Sequence, residues 1–440
     1  MMKNRKHIVL ALLMALGLGA SAQNGLNVPY SQYGIGLTNL PYNMPAVAAM
    51  GGVTYTRAAN NSINPFNPAS YAAIEKESFV FDMGFRADMS SQKDNSASLY
   101  DADGNLGYIA VGFPITRWWK TAFAILPLSD VSYESVQTAT TVGADVRTRY
   151  EGDGGVSRMM WGHAFNLGKN LSLGFNANYL YGGITRGITY SFTTTDSSTV
   201  YMDSRRQKTT LVSNFSFDMG LQYFQPLGHD YELGIGLTAA LPRTMMVKDN
   251  ALAYTFVTYS GNEYMRDTIF PNPGEDAEYS STLEQPLQLG MGLSFKKNNH
   301  WLVAIDGTYA PWSGLKYSDK NDLLGQSSMQ YDDNLRFNLG FQLLGDLGAT
   351  HYVRRITYSA GAHYESGRLR FVLADGNPYK LDEWGFGLGA TLPMRKGRSL
   401  LNISASYSSL GTGDLLRHNC FSIGLSVSSS DSWFVKRKYN

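Results

Sequence analysis

The sequence predicts an all-β protein, a transmembrane antiparallel β-barrel of about fourteen strands, and two observations support this prediction. From about residue 77 to residue 428, short segments with an apolar side chain at every second position alternate with turns. No part of this region has the spacing of a long helix. Because a strand of a soluble sandwich also alternates, it is the number of repeats that favours a barrel whose apolar face contacts lipid.

The composition agrees with a barrel and disfavours other classes. Hydrophobic residues make up 43% of the chain, yet the mean hydropathy is only -0.22, because lipid-facing residues alternate with polar ones. A helical membrane protein would be far more apolar. The 28 tyrosines and 7 tryptophans suit strand ends, where amphipathic rings lie at the level of the lipid headgroups. The net charge of +1 gives no electrostatic basis for binding nucleic acid.

Residues 1–22 have the organisation of a secretory signal peptide. A basic start is followed by the apolar run 8–18 and by a small-residue cleavage signal at 20–22. The apolar run is too short for a transmembrane helix. We therefore expect a mature chain that starts at Gln23, is exported, and resides in the outer membrane of a Gram-negative bacterium.

Residues 23–76 break the alternating rule and are rich in Asn, Pro, Gly and Ala. A barrel of about fourteen strands is wider than its own side chains can fill, so its lumen holds water or a plug. We expect residues 23–76 to form that plug, a hatch inside the lumen of the barrel region 77–430. Alternatively, the lumen-facing glycines only relieve crowding in a coiled sheet. These glycines are Gly174, Gly220, Gly234, Gly236, Gly290, Gly292, Gly340, Gly387, Gly389 and Gly424.

The strands of the barrel region follow one another with the same alternation, each with an apolar and a polar face. Clear outward-facing sets are Leu171, Leu173 and Phe175; Phe215, Phe217 and Met219; Tyr231, Leu233 and Ile235; Leu289, Met291 and Leu293; Phe337, Leu339 and Phe341; and Phe421, Ile423 and Leu425. Longer stretches without alternation predict outer loops, and short turns predict the periplasmic side. The predicted loops span roughly 132–150, 187–208, 246–280, 314–332 and 367–381.

Charged side chains of both signs occur at lumen-facing positions of these strands. We interpret them as structural ion pairs, with the lining of an ion path as the alternative. They are Asp82, Arg86, Asp88, Asp218, Asp306 and Arg336. The sole cysteine, Cys420, cannot form an internal disulfide and is expected to be a small buried residue.

Two short motifs stand out in the hatch region. Asn67, Pro68 and Ala69 lie shortly before the first strand. Pro68 fixes its own φ and pushes Asn67 towards an extended conformation, while the Asn side chain readily bonds nearby backbone groups. We expect a stiff corner where the chain inside the barrel turns into the wall, although an ordinary loop would look similar. Gly51 and Gly52 predict a tight turn.

With this motif in this position, the chain resembles the FadL family of outer-membrane transporters for long-chain fatty acids and other hydrophobic molecules. In that family a signal peptide is followed by a hatch that ends in an Asn-Pro-Ala motif and by a fourteen-stranded barrel; here the triplet is Asn67, Pro68 and Ala69. The resemblance implies passive uptake of a hydrophobic small molecule from the outside, in contact with outer-membrane lipid and lipopolysaccharide. It implies no cofactor, and it assigns no pocket residues.

The C-terminal tail 431–440 suggests a different possibility. It carries aromatic residues and three consecutive cations, which suit docking to a partner or to anionic headgroups, whereas a solvated periplasmic tail is the simpler interpretation. The candidate docking residues are Trp433, Phe434, Lys436, Arg437 and Lys438. The alternative function is therefore a non-enzymatic accessory subunit of an outer-membrane protein secretion or assembly complex, in contact with other outer-membrane or periplasmic proteins.

An enzyme is the least favoured class. The histidines show no HExxH spacing, and the chain has no nucleophile elbow and no glycine-rich phosphate loop. A dispersed catalytic triad would be invisible in the sequence. We predict no catalytic residues, no metal site and no cofactor.

Overall fold

The computed structural model describes residues 25–38, 41–93, 98–141, 144–194, 201–260, 262–269, 278–314, 317–318, 330–372, 378–394, 397–411 and 416–433. The predicted signal peptide 1–22 lies outside these residues.

Antiparallel strands dominate the described part of the chain. They are β1 (Ser78–Lys93), β2 (Ser98–Pro114), β3 (Trp119–Thr141), β4 (Ala144–Leu167), β5 (Leu171–Thr194), β6 (Asp203–Leu227), β7 (Tyr231–Ala240), β8 (Arg243–Tyr259), β9 (Asn262–Ile269), β10 (Glu278–Gln285), β11 (Gln288–Lys297), β12 (Trp301–Ala310), β13 (Tyr317–Ser318), β14 (Gln330–Tyr331), β15 (Asn334–Leu343), β16 (Thr357–Glu365), β17 (Leu369–Val372), β18 (Pro378–Lys380), β19 (Glu383–Met394), β20 (Ser399–Leu410) and β21 (Arg417–Ser432).

These strands form a closed barrel of 14 wall strands. Each of the sets β7/β8, β9/β10/β11 and β12/β13 is one interrupted wall strand, and β14, β17 and β18 form a separate small sheet. The barrel closes because β1 pairs with β21 along its whole length, from Ser78 opposite Ser432 to Lys93 opposite Arg417. The fold class predicted from the repeated alternation is therefore confirmed.

The two faces of the wall strands differ as the alternation predicts. In β11, Leu289, Met291 and Leu293 are 47%, 51% and 40% exposed on the outside, whereas the intervening Gly290 and Gly292 are buried on the lumen side. Exposed apolar side chains in this number suit contact with acyl chains. Aromatic rings gather near the short turns; for example, the ring centroids of Phe295 lie 5.6 Å from Tyr231 and 5.7 Å from Trp301.

The barrel is taller on one side than on the other. Strands β3 to β6 contain 23 to 25 residues, whereas β12 and β15 contain 10. The predicted loops 132–150 and 187–208 consist largely of the outer ends of β3 to β6, so their interpretation as loops is wrong. Above the membrane neither face of a strand contacts lipid, and the alternating pattern that identifies strands is lost there.

Further differences from the predicted loops follow the same reasoning. The stretch 246–280 contains most of β8, all of β9 and the start of β10, and the stretch 367–381 contains β17 and β18. Most of 314–332 lies outside the described residues. The wall strands β7/β8 and β10/β11 are interrupted at Pro242 and Pro286, because proline cannot donate a hydrogen bond to the sheet.

The N-terminal region runs down through the lumen in short helical pieces. They are α1 (Pro45–Ala48) and the 3-10 turns Pro29–Gln32, Pro41–Asn43 and Pro68–Ala73; two more 3-10 turns, Trp312–Gly314 and Tyr352–Arg355, lie in connections of the barrel. Four of these six pieces begin with proline, which suits the first helical position because it has no N–H to satisfy. Among the described residues, no helix is long and apolar enough to cross a membrane.

Candidate functional site: the hatch and the cavity above it

The Asn67-Pro68-Ala69 motif forms a corner that satisfies its own polar groups. Asn67 is fully buried and extended (φ -135°, ψ 103°), and Pro68 follows it as the first residue of a 3-10 turn. The Asn67 Oδ1 atom accepts a hydrogen bond from the Ala69 N–H at 3.1 Å. Its Nδ2 donates to the carbonyl oxygens of Tyr55 at 2.7 Å and of Leu221, in the barrel wall, at 3.3 Å. The corner therefore joins two parts of the hatch to strand β6.

The hatch backbone lies directly against glycines of the wall. A Cβ atom added at Gly220 would overlap the Asn67 side chain, and one at Gly174 would overlap the backbone of Pro68 and Ala69. On another part of the wall, a Cβ at Gly387 would overlap the carbonyl group of Ala48. Nine of the ten lumen-facing glycines thus make room for the hatch, the exception being Gly234, which lies against Ser294 and Phe224 of the wall; this supports the first of the two interpretations given for them.

Two buried carboxylates of the wall hold the hatch by its backbone. Asp306 in β12 is fully buried, and its Oδ2 accepts hydrogen bonds from the N–H groups of Thr54 at 2.6 Å and Tyr55 at 3.0 Å. Asp82 in β1 accepts from the Ile63 N–H at 3.2 Å and from the Tyr108 hydroxyl at 2.6 Å. The hatch is therefore attached at several points around the barrel.

Gly51 and Gly52 form the turn that follows α1. Both have positive φ angles, +63° and +92°, a region that favours glycine. Their N–H groups donate to the carbonyl oxygens of Ala48 at 3.1 Å and Val47 at 3.0 Å. A Cβ at Gly51 would overlap the backbone of Ala362, so the turn also touches the wall. The structure thus places both glycines in a tight turn of the hatch.

The lumen-facing charges play two roles. The interpretation as ion pairs is confirmed for most of them: Arg86 pairs with Asp88 at 2.5 Å, Asp218 with Arg158 at 3.5 Å, and Arg336 with Glu365 at 2.6 Å. Asp82 and Asp306 instead accept hydrogen bonds from the hatch backbone. The sequence could not distinguish the charges that form ion pairs from those that hold the hatch. The donors in the hatch are backbone N–H groups, which no residue type in the sequence marks.

Residues 25–38, which we call the mouth segment, lie at the outer end of the lumen. Val28 donates its N–H to the Ser132 carbonyl at 2.7 Å, and Leu37 pairs with Asp130 of β3. The Tyr30 hydroxyl donates to the Leu416 carbonyl at 2.6 Å, and the Arg368 guanidinium donates to the Gly36 carbonyl at 2.9 Å. The mouth segment is thus attached to both the tall and the short side of the barrel.

A cavity of about 260 Å³ lies between the mouth segment and the hatch. Leu26 and Val28 of the mouth segment and Leu128 of β3 supply apolar lining. Polar side chains of strands β16 to β21 and β1, among them His363 and His418, line another part of the cavity. The sequence analysis did not identify this cavity. The only signal was that both histidines stand at lumen-facing positions in strands where Gly, Ser and Asn prevail.

The candidate docking tail is described only at its start. The Trp433 ring stacks on Phe79 of β1 with centroids 4.5 Å apart, and the backbone N–H of Trp433 donates to the Glu77 carbonyl at 2.8 Å. The indole is still 51% exposed. Phe434, Lys436, Arg437 and Lys438 lie outside the described residues. Cys420 is buried, as predicted, and the described residues contain no group of His, Cys, Asp or Glu arranged to hold a metal ion.

One connection on the periplasmic side is unusually long, a feature that the sequence analysis missed. Residues 344–356 join β15 to β16, where other turns on this side, such as 168–170, are short. The connection is folded: the Asp346 N–H donates to the Arg354 carbonyl at 2.9 Å, and the Tyr352 hydroxyl donates to the Pro393 carbonyl at 3.3 Å. Its tip leaves Val353 64% exposed.

Comparisons with known proteins agree with this architecture. A family model described as BamG matches residues 1–440. No curated protein matches the chain. Among solved structures, the chain is similar to the TodX deltaS2S3 mutant monoaromatic hydrocarbon channel, at 15% identity and a TM-score of 0.56, over 89% of this chain and 99% of that one.

Two further structures have the same fold. The toluene transporter TbuX of Ralstonia pickettii is 14% identical with a TM-score of 0.54, over 89% of this chain and 99% of that one. A FadL homologue of Pseudomonas aeruginosa is 13% identical with a TM-score of 0.54, over 89% and 98%. The resemblance to the FadL family is therefore confirmed at the level of the fold, a closed β-barrel with a hatch in its lumen. Because the family model matches the chain from end to end, the protein belongs to the BamG family.

Proposed function

We propose that the protein is a passive outer-membrane channel for small hydrophobic molecules, long-chain fatty acids among them, and not an enzyme. The observation that carries the proposal is the cavity of about 260 Å³ between the mouth segment and the hatch. A partly apolar cavity inside the lumen gives a ligand a place to bind on its way through the barrel. Similar structures are named as a monoaromatic hydrocarbon channel and a toluene transporter.

The proposed path has three steps. The molecule enters from outside beside the mouth segment, rests in the cavity, and leaves when the hatch shifts. No energy source is required, because keeping an alkyl chain in apolar contact avoids a cost of about 0.8 kcal/mol for each CH₂ exposed to water. The barrier is the hatch, whose corner at Asn67 and whose bonds to Asp82 and Asp306 must rearrange.

Whole cells with an intact outer membrane provide the test. We expect that deleting the gene slows the initial uptake of radiolabelled palmitate or toluene, and that the full chain restores it. Collapsing the proton gradient should leave the initial rate into a periplasmic acceptor unchanged, since the step is passive. Uptake of both probes at the wild-type rate in the deletion strain would contradict the channel function.

A second candidate is an accessory subunit of an outer-membrane protein complex, with its lumen permanently closed. Two observations favour it. The hatch and the mouth segment are both hydrogen-bonded to the wall, and the folded connection 344–356 presents an apolar tip to the periplasm. An exposed apolar side chain such as Val353 on a folded loop suits a protein contact.

Purification from native membranes in mild detergent distinguishes the two candidates. Mass spectrometry would identify bound lipids and co-purifying proteins for the wild type, for Val353→Asp, and for Val136→Asp as a matched control on the opposite, outer side of the barrel. Partners present in equal amount, and lost only from Val353→Asp, would establish the accessory role. A protein that purifies alone, with extractable hydrophobic molecules, would exclude it.

A further inference from the structure

An imidazole lies on the outer face of the wall near its periplasmic end. The neighbouring Gly162 lies against Tyr71 of the hatch, so Gly162 faces the lumen and His163 faces the opposite way. On the same face, Trp161 and Phe175 are 51% and 40% exposed, as lipid-contacting side chains are. His163 itself is 8% exposed. An ionisable side chain on a membrane-spanning strand is costly and commonly has a function.

Aromatic rings hold this imidazole in one orientation and one tautomer. Its centroid lies 4.9 Å from that of Trp161, 5.1 Å from that of Phe175 and 5.6 Å from that of Trp119. The Trp119 Nε1–H donates to Nδ1 of His163 at 3.1 Å, so the uncharged ring carries its proton on Nε2. Among the described residues Nε2 has no partner, and it is not one of the polar atoms that the fold seals off from the surface. The wall thus presents a hydrogen-bond donor to the membrane.

Two cations lie on the periplasmic turns next to this histidine. Arg117 is in the turn between β2 and β3, Lys169 is in the turn between β4 and β5, and both are exposed. The two turns lie side by side, because the Asn166 N–H donates to the Trp118 carbonyl at 2.8 Å. Within the part of the chain that the structure describes, neither cation forms an ion pair. Both charges are therefore available to a ligand.

The sequence around these turns carries no negative charge. Neither the segment 110–123 nor the segment 159–176 contains Asp or Glu. Elsewhere on the periplasmic rim a cation is neutralised within the wall: the Lys296 Nζ lies 3.6 Å from Oε1 of Glu232. The surface at the two turns is therefore positively charged, and it favours an anionic group.

Exposed apolar side chains surround the two cations. Ile115, Trp118 and Leu167 are 43%, 56% and 52% exposed. The Trp118 ring lies 5.8 Å from that of Phe165, on the membrane-facing side of the wall. Indole rings at the level of the headgroups, beside Arg and Lys with long apolar stems, are typical of contact with lipid. A soluble anion would gain nothing from these apolar side chains, whereas a lipid would.

We propose that this part of the wall binds one anionic phospholipid of the periplasmic leaflet. Its phosphate lies beside Arg117 and Lys169, and a glycerol-ester carbonyl accepts the Nε2–H of His163. His163 lies four residues before Leu167, the last residue of β4, or about 13 Å along the strand. The donor is thus deeper in the membrane than the cations, as the ester of a phospholipid is deeper than its phosphate. From the proposed function this inference takes the membrane location alone, and it requires no transport.

Native mass spectrometry of the full chain, released from detergent micelles, tests the site by counting bound lipids. The probes are diester phosphatidylglycerol, phosphatidylcholine with the same chains, and diether phosphatidylglycerol, which lacks the ester carbonyls. We expect diester phosphatidylglycerol to bind at least about tenfold more tightly than phosphatidylcholine, because two cations attract the net charge of its headgroup. It should bind about threefold to tenfold more tightly than the diether, the value of one hydrogen bond.

Substitutions locate the two contacts. Arg117→Gln/Lys169→Gln should lose the preference for phosphatidylglycerol over phosphatidylcholine. The matched control Lys296→Gln/Lys297→Gln, which removes two cations from the periplasmic end of β11, should keep it. His163→Phe retains an aromatic ring among its neighbours and should lose only the preference for the diester. Far-UV circular dichroism checks that each variant is folded, and the comparison of diester with diether in the wild type tests the histidine contact without any substitution.

Four outcomes would overturn the inference or one of its parts. Equal binding of phosphatidylglycerol and phosphatidylcholine by the wild type overturns the anionic-lipid site. A preference that survives without Arg117 and Lys169, or that falls equally in the control, overturns its assignment to these turns. Equal binding of diester and diether by the wild type overturns the role of His163. Displacement of the lipid by an equal concentration of inorganic phosphate indicates a site for bare phosphate and overturns the lipid assignment. The uptake measurement judges the channel function separately.

Discussion

Asp306 is the wall residue whose removal tests most directly how the hatch is held. Its Oδ2 accepts hydrogen bonds from the N–H groups of Thr54 and Tyr55 inside the barrel, and it is fully buried. In Asp306→Ala both donors lose a charged acceptor. Each such bond contributes about 1.5–3 kcal/mol, so the local stability of this part of the hatch should fall by about 3 kcal/mol or more.

A loss of about 3 kcal/mol corresponds to about a hundredfold higher population of the locally open hatch. Native-state hydrogen exchange measures it at the amides of Thr54 and Tyr55. The matched control is Asp306→Asn, which keeps an acceptor oxygen without the charge. Since charged hydrogen bonds are about twice as strong as neutral ones, its exchange should rise by only about tenfold. Exchange at wild-type rates in Asp306→Ala would refute the view that the carboxylate anchors the hatch.

Two further predictions concern packing and pH. Gly220→Val should lower the thermal stability of the barrel by about 1–3 kcal/mol through overpacking, because the new side chain overlaps Asn67. The control Gly104→Val, where a Cβ meets nothing within 4 Å, should melt at the wild-type temperature. Equal melting temperatures of the two variants would contradict the close contact between Gly220 and Asn67. In the outer loops, hydrogen bonds from Arg370 hold the pKa of Asp332 below its ordinary value. The stability that ionised Asp332 contributes is present above the ordinary pKa and is lost as the pH falls below it. Hydrogen exchange in the sheet formed by β14, β17 and β18 should therefore become faster in acid. The control Asp332→Asn should remove that pH dependence.

The extent of the sheet illustrates where sequence-based prediction succeeds and where it fails. Strands such as β11 were recognisable because lipid contacts one face and the hatch the other, so that side chains alternate strictly. The outer ends of β3 to β6 were misread as loops, because lipid contacts neither of their faces. The short turn 168–170 was predicted from the sequence. The long folded connection 344–356 was not, because its sequence has no distinctive pattern.

The candidate site shows the same division between local and distant information. The corner at Asn67 and Pro68 could be predicted, because proline and its preceding residue restrict the backbone locally. The hydrogen bonds that the Thr54 and Tyr55 N–H groups donate to Asp306 could not be predicted. They join residues about 250 positions apart, and the backbone N–H groups that donate them are common to nearly every residue.

The sequence by itself determined that this protein is a closed β-barrel with a hatch, because alternation, turn residues and proline act over a few neighbouring residues. Only the tertiary structure decided which carboxylates hold the hatch, that the mouth segment reaches the outer end of the lumen, and that His363 and His418 share one cavity. These features depend on how strands far apart in the chain are brought together when the cylinder closes, and no local pattern records that arrangement.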